Sequence, residues 1–406
     1  MEQTDILDSA KSWRRLALTL LIATIGNVGM WAIVVVLPYI EAEFGGTRAQ
    51  ASVPYISIML GFALGNFGMG RMVDRYGITI TLILAMISVG IGFVASGFSA
   101  SIWMFTALQF LVGFGSGVCF GPIVADVSLW FLKRRGIAVA IAASGNYLSG
   151  AIWPVLLAAP LQDEGWRFVY FLMAGLVLLT VIPLSFLLME RVPEISRQRA
   201  DAISHARAHS AGFSPRTLMW LLGFAGIACC VAMSMPQVHI VALCVDLGFG
   251  PAIGGQMLSL MLFGGVISRI LSGIIADWLG GVRTVLIGSV LQGLALCLYL
   301  PADGLVSLYV VSLIFGLAQG GIVPSYAVVV REYMPSHEAG RRVGFVLMLT
   351  IVGMALGGWM SGWIYDLTGD YTLAFVNGIG WNFLNVSIMV MLLLRTRPGT
   401  PKAIPA

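Results

Sequence analysis

Arg269 is the residue of this sequence with the clearest capacity for chemistry. It stands in GGQMLSLMLFGGVISRILSGIIADWLG, Gly254 to Gly280, a run of apolar and small residues long enough to cross a bilayer. A cation near the centre of hydrocarbon costs roughly 3 to more than 10 kcal/mol, so it faces a watery path or a partner and marks a ligand site by default. Its planar donor fork matches a carboxylate. With the span centred near Gly265, Arg269 lies about 6 Å towards the cytoplasmic end at ~1.5 Å rise per residue. The competing reading is an arginine held by backbone carbonyls or by another helix.

Other polar residues inside apolar runs are candidates for the same site. His239 follows Pro236 by three residues, and the proline can break the helix and expose backbone groups to the cavity. A neutral imidazole there can donate to a carboxylate or titrate near physiological pH, or it can simply pack with a hydrogen bond. Asp126 is a candidate inner gate or proton carrier, with a local pair to Lys133 or Arg134 as the structural alternative. Asn27, Trp31, Asn146, Tyr147, Gln319, Ser325 and Tyr326 are neutral cavity candidates. Tyr and Asn can bind a carboxylate or hydroxyl, and Trp supplies an apolar wall. Helix packing is the alternative for each of them. Tyr326 and Asn146 are preferred because each lies beside a proline or glycine.

The elements that must position these residues are membrane spans. Of the 406 residues 58% are hydrophobic and 10% charged, where a soluble domain carries about 25% charged residues. Apolar runs place twelve spans near 16–40, 51–71, 78–98, 101–128, 137–160, 168–189, 217–243, 252–276, 283–301, 304–330, 343–366 and 372–394. The first is too long for a signal-peptide core and reads as a retained span. The fold expected is an all-α membrane protein: a six-helix half over 1–189, a cytoplasmic linker over 190–216 and a second six-helix half over 217–406. Lys and Arg collect in the even-numbered connections and the two tails, with only Arg48 and Arg167 on the opposite side. This places both termini in the cytoplasm. Short tails and a compact linker point to a bacterial inner membrane.

The halves repeat. GRMVDRYG carries Gly70, Asp74, Arg75 and Gly77 after the second span, and GIIADWLG carries Gly273, Asp277 and Gly280 after the eighth. Gly273, Asp277 and Gly280 each follow their counterparts by 203 residues, as Gly316 and Gly320 follow Gly113 and Gly117. A constant offset argues for parallel repeats with the ligand site between them. Under it Arg269 corresponds to Asn66, so one half alone carries the charge.

Two such halves with G-x-x-x-D-R-x-G in the first cytoplasmic connection resemble the major facilitator superfamily, over essentially the whole chain. The resemblance implies that Gly70, Asp74, Arg75, Gly77 and Asp277 help to hold and switch the conformation. LWFLKRRGIAVAIAASGNYLSG, from Leu129, resembles the monocarboxylate transporters and oxalate–formate antiporters through Trp130, Phe131, Arg134, Arg135, Ala138 and Gly145. PQVHIVALCVDLG and SRILSGIIADWLG add to that likeness, and Arg269 matches the span-eight arginine that binds substrate carboxylate in those families. Departures accompany it. Gly265 stands where an acidic partner is usual, span eleven has no lysine, and span one has no charge from Ile22 to Tyr39. One cation suits a monoanion, because a second negative charge would stay unpaired in a low-dielectric cavity.

No P-loop or soluble catalytic constellation is present, and the four histidines and five cysteines lack metal-ligand spacing. The expectation is therefore a secondary transporter, not an enzyme, with no cofactor, no metal and no nucleic-acid partner. Its substrate would be a small carboxylate, such as a 2-oxo or 2-hydroxy acid, moved across a lipid bilayer by alternating access with a proton or counter-anion. A monomer is expected to suffice. An efflux porter for apolar or cationic compounds is the alternative in the same fold. A non-transporting membrane sensor is the alternative of another class.

Overall fold

In the computed structural model, residues 7–45, 47–131, 134–190, 214–333 and 336–395 are described. Most of the expected linker, 191–213, lies outside them. The described residues form twelve helical spans. Spans one to six are Ala10–Phe44, Arg48–Val73, Ile78–Gly97, Ile102–Val127, Ile137–Asp163 and Gly165–Phe186. Spans seven to twelve are Arg216–Asp246, Pro251–Ala276, Gly281–Tyr299, Leu305–Val330, Arg342–Thr368 and Thr372–Arg395. The end that carries Ala10 and Arg395 is called the tail end below, and the opposite end the far end.

Helix boundaries follow local chemistry. Ser101 and Ser214 accept the backbone N–H of Met104 at 3.2 Å and Thr217 at 3.1 Å, satisfying donors that a helix start leaves free. Gly77 and Gly280 stop the second and eighth helices at φ of +86° and +81°, a region that costs other residues strain. The two glycines are one repeat apart, so the halves end these helices by the same device.

The repeat also appears in the packing. A Cβ at Gly113 would lie 2.0 Å from the carbonyl oxygen of Ile58, and one at Gly316 would lie 1.9 Å from that of Met261. Ile58 and Met261 are likewise 203 residues apart. Span four thus rides directly on the backbone of span two, and span ten on that of span eight, a close approach that small residues permit in lipid.

Three expected continuous helices are broken, and one expected break is absent. Span one comprises Ala10–Gly26 and Val28–Phe44, joined at Asn27. Span four passes through a 3₁₀ turn at Gly117–Cys119 before Gly121–Ser128. Span ten breaks between Gln319 and Ile322. Span seven, by contrast, runs unbroken from Pro215 to Asp246 through Pro236. A membrane helix tolerates proline where neighbouring helices accommodate the freed backbone group, so the interruption expected beside His239 does not occur.

Two seams join the halves. Span five runs along span eight: Gly255 faces Pro154, Gly150 faces Leu262 and Gly265 faces Tyr147. Span two runs along span eleven, with Gly358 against Tyr55 and Gly362 against Ser52 and the Arg48 carbonyl. Both seams are closed from the far end inwards.

Candidate functional site

Arg269 sits at the inner end of the first seam. It is 5% exposed. Its Nε donates to the Gly320 carbonyl at 3.2 Å, and its Nη1 donates to the Ala143 carbonyl. Its Cζ lies 3.6 Å from the centroid of the Tyr147 ring. The break in span ten explains the first contact, because a helix end leaves carbonyls without intrahelical partners. Ala143 and Tyr147 share one face of span five at i, i+4. One turn of one half therefore supplies both a carbonyl and an aromatic face to the cation of the other.

Tyr147 extends the group. Its hydroxyl donates to Gln319 Oε1 at 2.9 Å and lies 3.8 Å from the sulfur of Met233. Spans five, seven, eight and ten thus converge on one point. No carboxylate lies within ion-pair distance of Arg269 among the described residues. Carbonyl dipoles and a π face stabilise a guanidinium, but they do not neutralise it. The arrangement can take up an anion.

Trp31, Asn146 and Asn27 adjoin this group from within the first half. The Trp31 ring centroid is 6.2 Å from that of Tyr147, and Trp31 Nε1 donates to the Asn146 carbonyl at 2.8 Å. Asn146 Nδ2 donates to Asn27 Oδ1 at 3.3 Å. Asn27 Nδ2 donates to the Ala23 carbonyl at 2.7 Å and the Cys119 carbonyl at 3.0 Å. Asn27 therefore ties the break in span one to the break in span four. The amide donors of both asparagines are engaged inside the half, so their visible role is to hold Trp31 and Tyr147 in place.

Two expected site residues lie elsewhere. Tyr326 is fully buried in the second half, where its hydroxyl accepts from Asn385 Nδ2 at 2.6 Å. It packs with Leu222, Val329 and Met389, and Ser325 beside it bonds the Gly321 carbonyl at 2.8 Å. The preference for Tyr326 as half of a ligand-binding pair does not fit this placement. His239 is six residues beyond Met233 on span seven, about 9 Å towards the far end at ~1.5 Å per residue. It belongs to a second cluster.

That cluster closes the far end. Arg48 forms ion pairs with Glu41 at 3.0 Å and Asp246 at 3.1 Å, and its Nη1 donates to Tyr371 Oη at 3.1 Å. Its guanidinium also lies 4.6 Å from the Tyr365 ring centroid. Asp366 accepts the backbone N–H groups of Arg48 at 2.7 Å and Ala49 at 2.8 Å. His239 Nε2 is 2.7 Å from the Gly358 carbonyl, and Nδ1 is 3.0 Å from Tyr371 Oη. A carbonyl only accepts, so Nε2 carries the proton and Nδ1 accepts from Tyr371. Burial pushes the Tyr371 phenol above its ordinary range, which keeps it a donor. Hydrogen bonds thus run from Arg48 through Tyr371 to His239, and they join Arg48 and Glu41 of the first half to the second.

At the tail end Asp126 pairs with Arg15. Arg15 Nη2 and Nε approach Asp126 Oδ2 at 2.7 and 3.1 Å. Arg15 also donates to the Leu188 and Glu190 carbonyls, each at 3.2 Å, and lies over Trp130. Spans one, four and six are clasped together within one half. Of the connection residues, Arg75 lies 5.2 Å from the Tyr76 ring centroid and is exposed, and a Cβ at Gly70 would meet nothing within 4 Å. The side chains of Asp74 and Asp277 lie outside those described.

Sequence reasoning did not single out Arg48, Glu41, Asp366 and Tyr371, which the structure brings together at the far end. A signal was available: Arg48 and Arg167 were the two basic residues on the wrong side of the charge asymmetry. Each pairs with a carboxylate at the end of span one, Arg48 with Glu41 and Arg167 with Glu43.

The model of the Major Facilitator Superfamily matches residues 19–306 and 240–406. Monocarboxylate transporter 13 of Bos taurus is 26% identical over 350 residues, covering 83% of this chain and 79% of its own. The Agnestins efflux protein AgnL12 of Paecilomyces divaricatus is 24% identical over 348 residues, covering 84% and 78%. The crystal structure of a bacterial homologue of the human lysosomal transporter Spinster, inward-facing and occupied, superposes with a TM-score of 0.67. It is 16% identical, with 95% of this chain and 96% of that one covered, a likeness of fold.

Proposed function

The chain belongs to the major facilitator superfamily of membrane transporters, and we propose that it carries a small organic monoanion, with Arg269 binding the carboxylate. The observation that carries this reading is a buried cation at the meeting point of the two halves with no acidic partner among the described residues. An uncompensated buried charge costs several kcal/mol. A carboxylate offsets that cost by pairing with the guanidinium fork. Binding removes the unpaired charge and eases closure of the loaded carrier.

Arg269 spans the seam in this conformation, reaching from span eight to Ala143 and Tyr147 on span five. A substrate carboxylate competes with the Ala143 carbonyl for the same fork. Binding would therefore exchange a contact between halves for a contact with ligand, and the halves would rock about the site to alternate access. The far end is the outer face in this reading, and the tail end is cytoplasmic in a bacterial inner membrane. The coupled species is a proton or a counter-anion.

The test is equilibrium binding to purified protein, read as thermal stabilisation across a panel of monocarboxylates, dicarboxylates and organic cations. Monocarboxylates should stabilise the wild type, and Arg269→Gln should abolish the effect while remaining folded. Stabilisation by cations alone would overturn the proposal in favour of the efflux reading.

A further inference from the structure

Two buried amide donors beside the carboxylate site have no partner. Gln319 is fully buried, and its Nε2 has no hydrogen-bond acceptor among the described residues. The other end of the same amide is fixed, because Oε1 accepts from Tyr147 Oη at 2.9 Å. Tyr147 is in turn held under the Arg269 guanidinium. The nitrogen therefore lies beside Gly265, 3.6 Å from where a Cβ there would be. A Cβ at 265 would lie 2.5 Å from the Tyr147 ring, so the glycine makes room for that ring beside the Gln319 amide.

Gln237 repeats the pattern one turn further out. It is 1% exposed, and its Nε2 also lacks an acceptor among the described residues. It follows Met233 by four residues on an unbroken helix, so both share one face. Met233 touches the Tyr147 hydroxyl at 3.8 Å. Gln237 is therefore about 6 Å beyond that contact, towards the far end, at ~1.5 Å rise per residue.

A buried amide donor left without a partner is costly, and natural structures keep such groups few. One of them beside the unneutralised cation and a second one helical turn further out form a pattern that a ligand would complete. An amide N–H₂ only donates, so its complement is an acceptor. A second carboxylate would require a second cation, which the described site lacks. The complement is thus a neutral oxygen.

We propose that Gln319 and Gln237 form an oxygen-reading subsite, which selects carboxylates that also carry a hydroxyl or oxo group. The proposal rests on the carboxylate reading of Arg269. Gln319 serves an oxygen close to the carboxylate, and Gln237 serves one further along the chain. An acid without such an oxygen leaves both amides unsatisfied, and sites built to hydrogen-bond an oxygen reject analogues that lack it.

The test uses four-carbon acids of equal charge and nearly equal size: butyrate and its 2-, 3- and 4-hydroxy derivatives. Each is titrated calorimetrically into purified wild type, Gln319→Met, Gln237→Met and Arg269→Gln. Methionine keeps the length of glutamine and removes the amide. Wild type should bind at least one hydroxy acid roughly tenfold more tightly than butyrate. Gln319→Met should abolish a preference for the 2-hydroxy acid, or Gln237→Met one for the 4-hydroxy acid, read as the ratio of hydroxy-acid to butyrate affinity within the same variant. Equal binding of all four acids by wild type, with butyrate still lost in Arg269→Gln, would overturn the subsite and leave the carboxylate reading standing. A hydroxyl preference that survives both methionine variants would overturn it too. No binding of any of the four acids would remove the carboxylate reading and the subsite with it.

Discussion

Arg48→Gln should release the far end of the molecule. Across the two halves, Arg48 donates to Asp246 at the end of span seven at 3.1 Å and to Tyr371, just before span twelve, at 3.1 Å. A hydrogen bond involving a charged group contributes about 1.5–3 kcal/mol. Asp246 is 27% exposed, so solvent screening places its bond at the lower end of that range. The bonds from Asp366 to backbone N–H groups survive the substitution, and Glu41 lies on the same half as Arg48. The loss across the two halves is then about 3–4.5 kcal/mol, and removing the cation leaves Glu41 and Asp246 unshielded from each other. At 1.4 kcal/mol per tenfold, the ratio of closed to open far end falls by roughly a hundredfold to a thousandfold. The assay is a spin-label distance between Asp163→Cys and Asp303→Cys, exposed residues on opposite halves at the far end, in a Cys297→Ser background. Wild type should give one short distance, and Arg48→Gln should add a longer population. Superimposable distributions would refute the assignment of Arg48 as the far-end latch.

Other substitutions probe the scaffold. The Arg15–Asp126 pair is 6% and 9% exposed, so Arg15→Met alone should lower stability by about 3–5 kcal/mol. Arg15→Met with Asp126→Leu should recover most of the loss in thermal unfolding. Gly316→Ala brings a Cβ to 1.9 Å from the Met261 carbonyl and should separate spans eight and ten, lowering the unfolding midpoint more than Gly273→Ala, where nothing lies within 4 Å. Glu332 accepts the Gly281 N–H at 3.0 and 2.9 Å, yet burial holds its carboxyl above the ordinary range. A carboxyl with a raised folded-state pKa binds its proton more readily when folded, so its contribution falls as pH rises through that value. Glu332→Gln should therefore gain thermal stability relative to wild type at pH 7.5, and the gain should shrink towards pH 4.5.

The twelve spans, the doubled architecture and the placement of Arg269 within span eight were legible because each rests on local composition or a fixed offset. The offset that relates Gly113 to Gly316 also relates Ile58 to Met261, whose carbonyls those glycines approach in the structure. Tyr147 and Gln319 were legible as polar residues in apolar spans, although their convergence on Arg269 was not. The far-end cluster was hidden because its members, from Glu41 to Tyr371, are far apart in sequence and meet only in the packed bundle. The Asp126–Arg15 pair was hidden in the same way, because the two residues are 111 positions apart. Pro236 misled through propensity, since the packed bundle carries span seven straight through it.

The central claim is that Arg269 binds a transported carboxylate. Its most direct test is uptake of labelled pyruvate and lactate into proteoliposomes by wild type and Arg269→Gln, under a pH gradient and with preloaded counter-anion. Saturable uptake by wild type that disappears in a folded Arg269→Gln protein is the predicted result. Uptake indifferent to Arg269, or none at all, would contradict the account and leave the arginine as a tie between spans five, eight and ten.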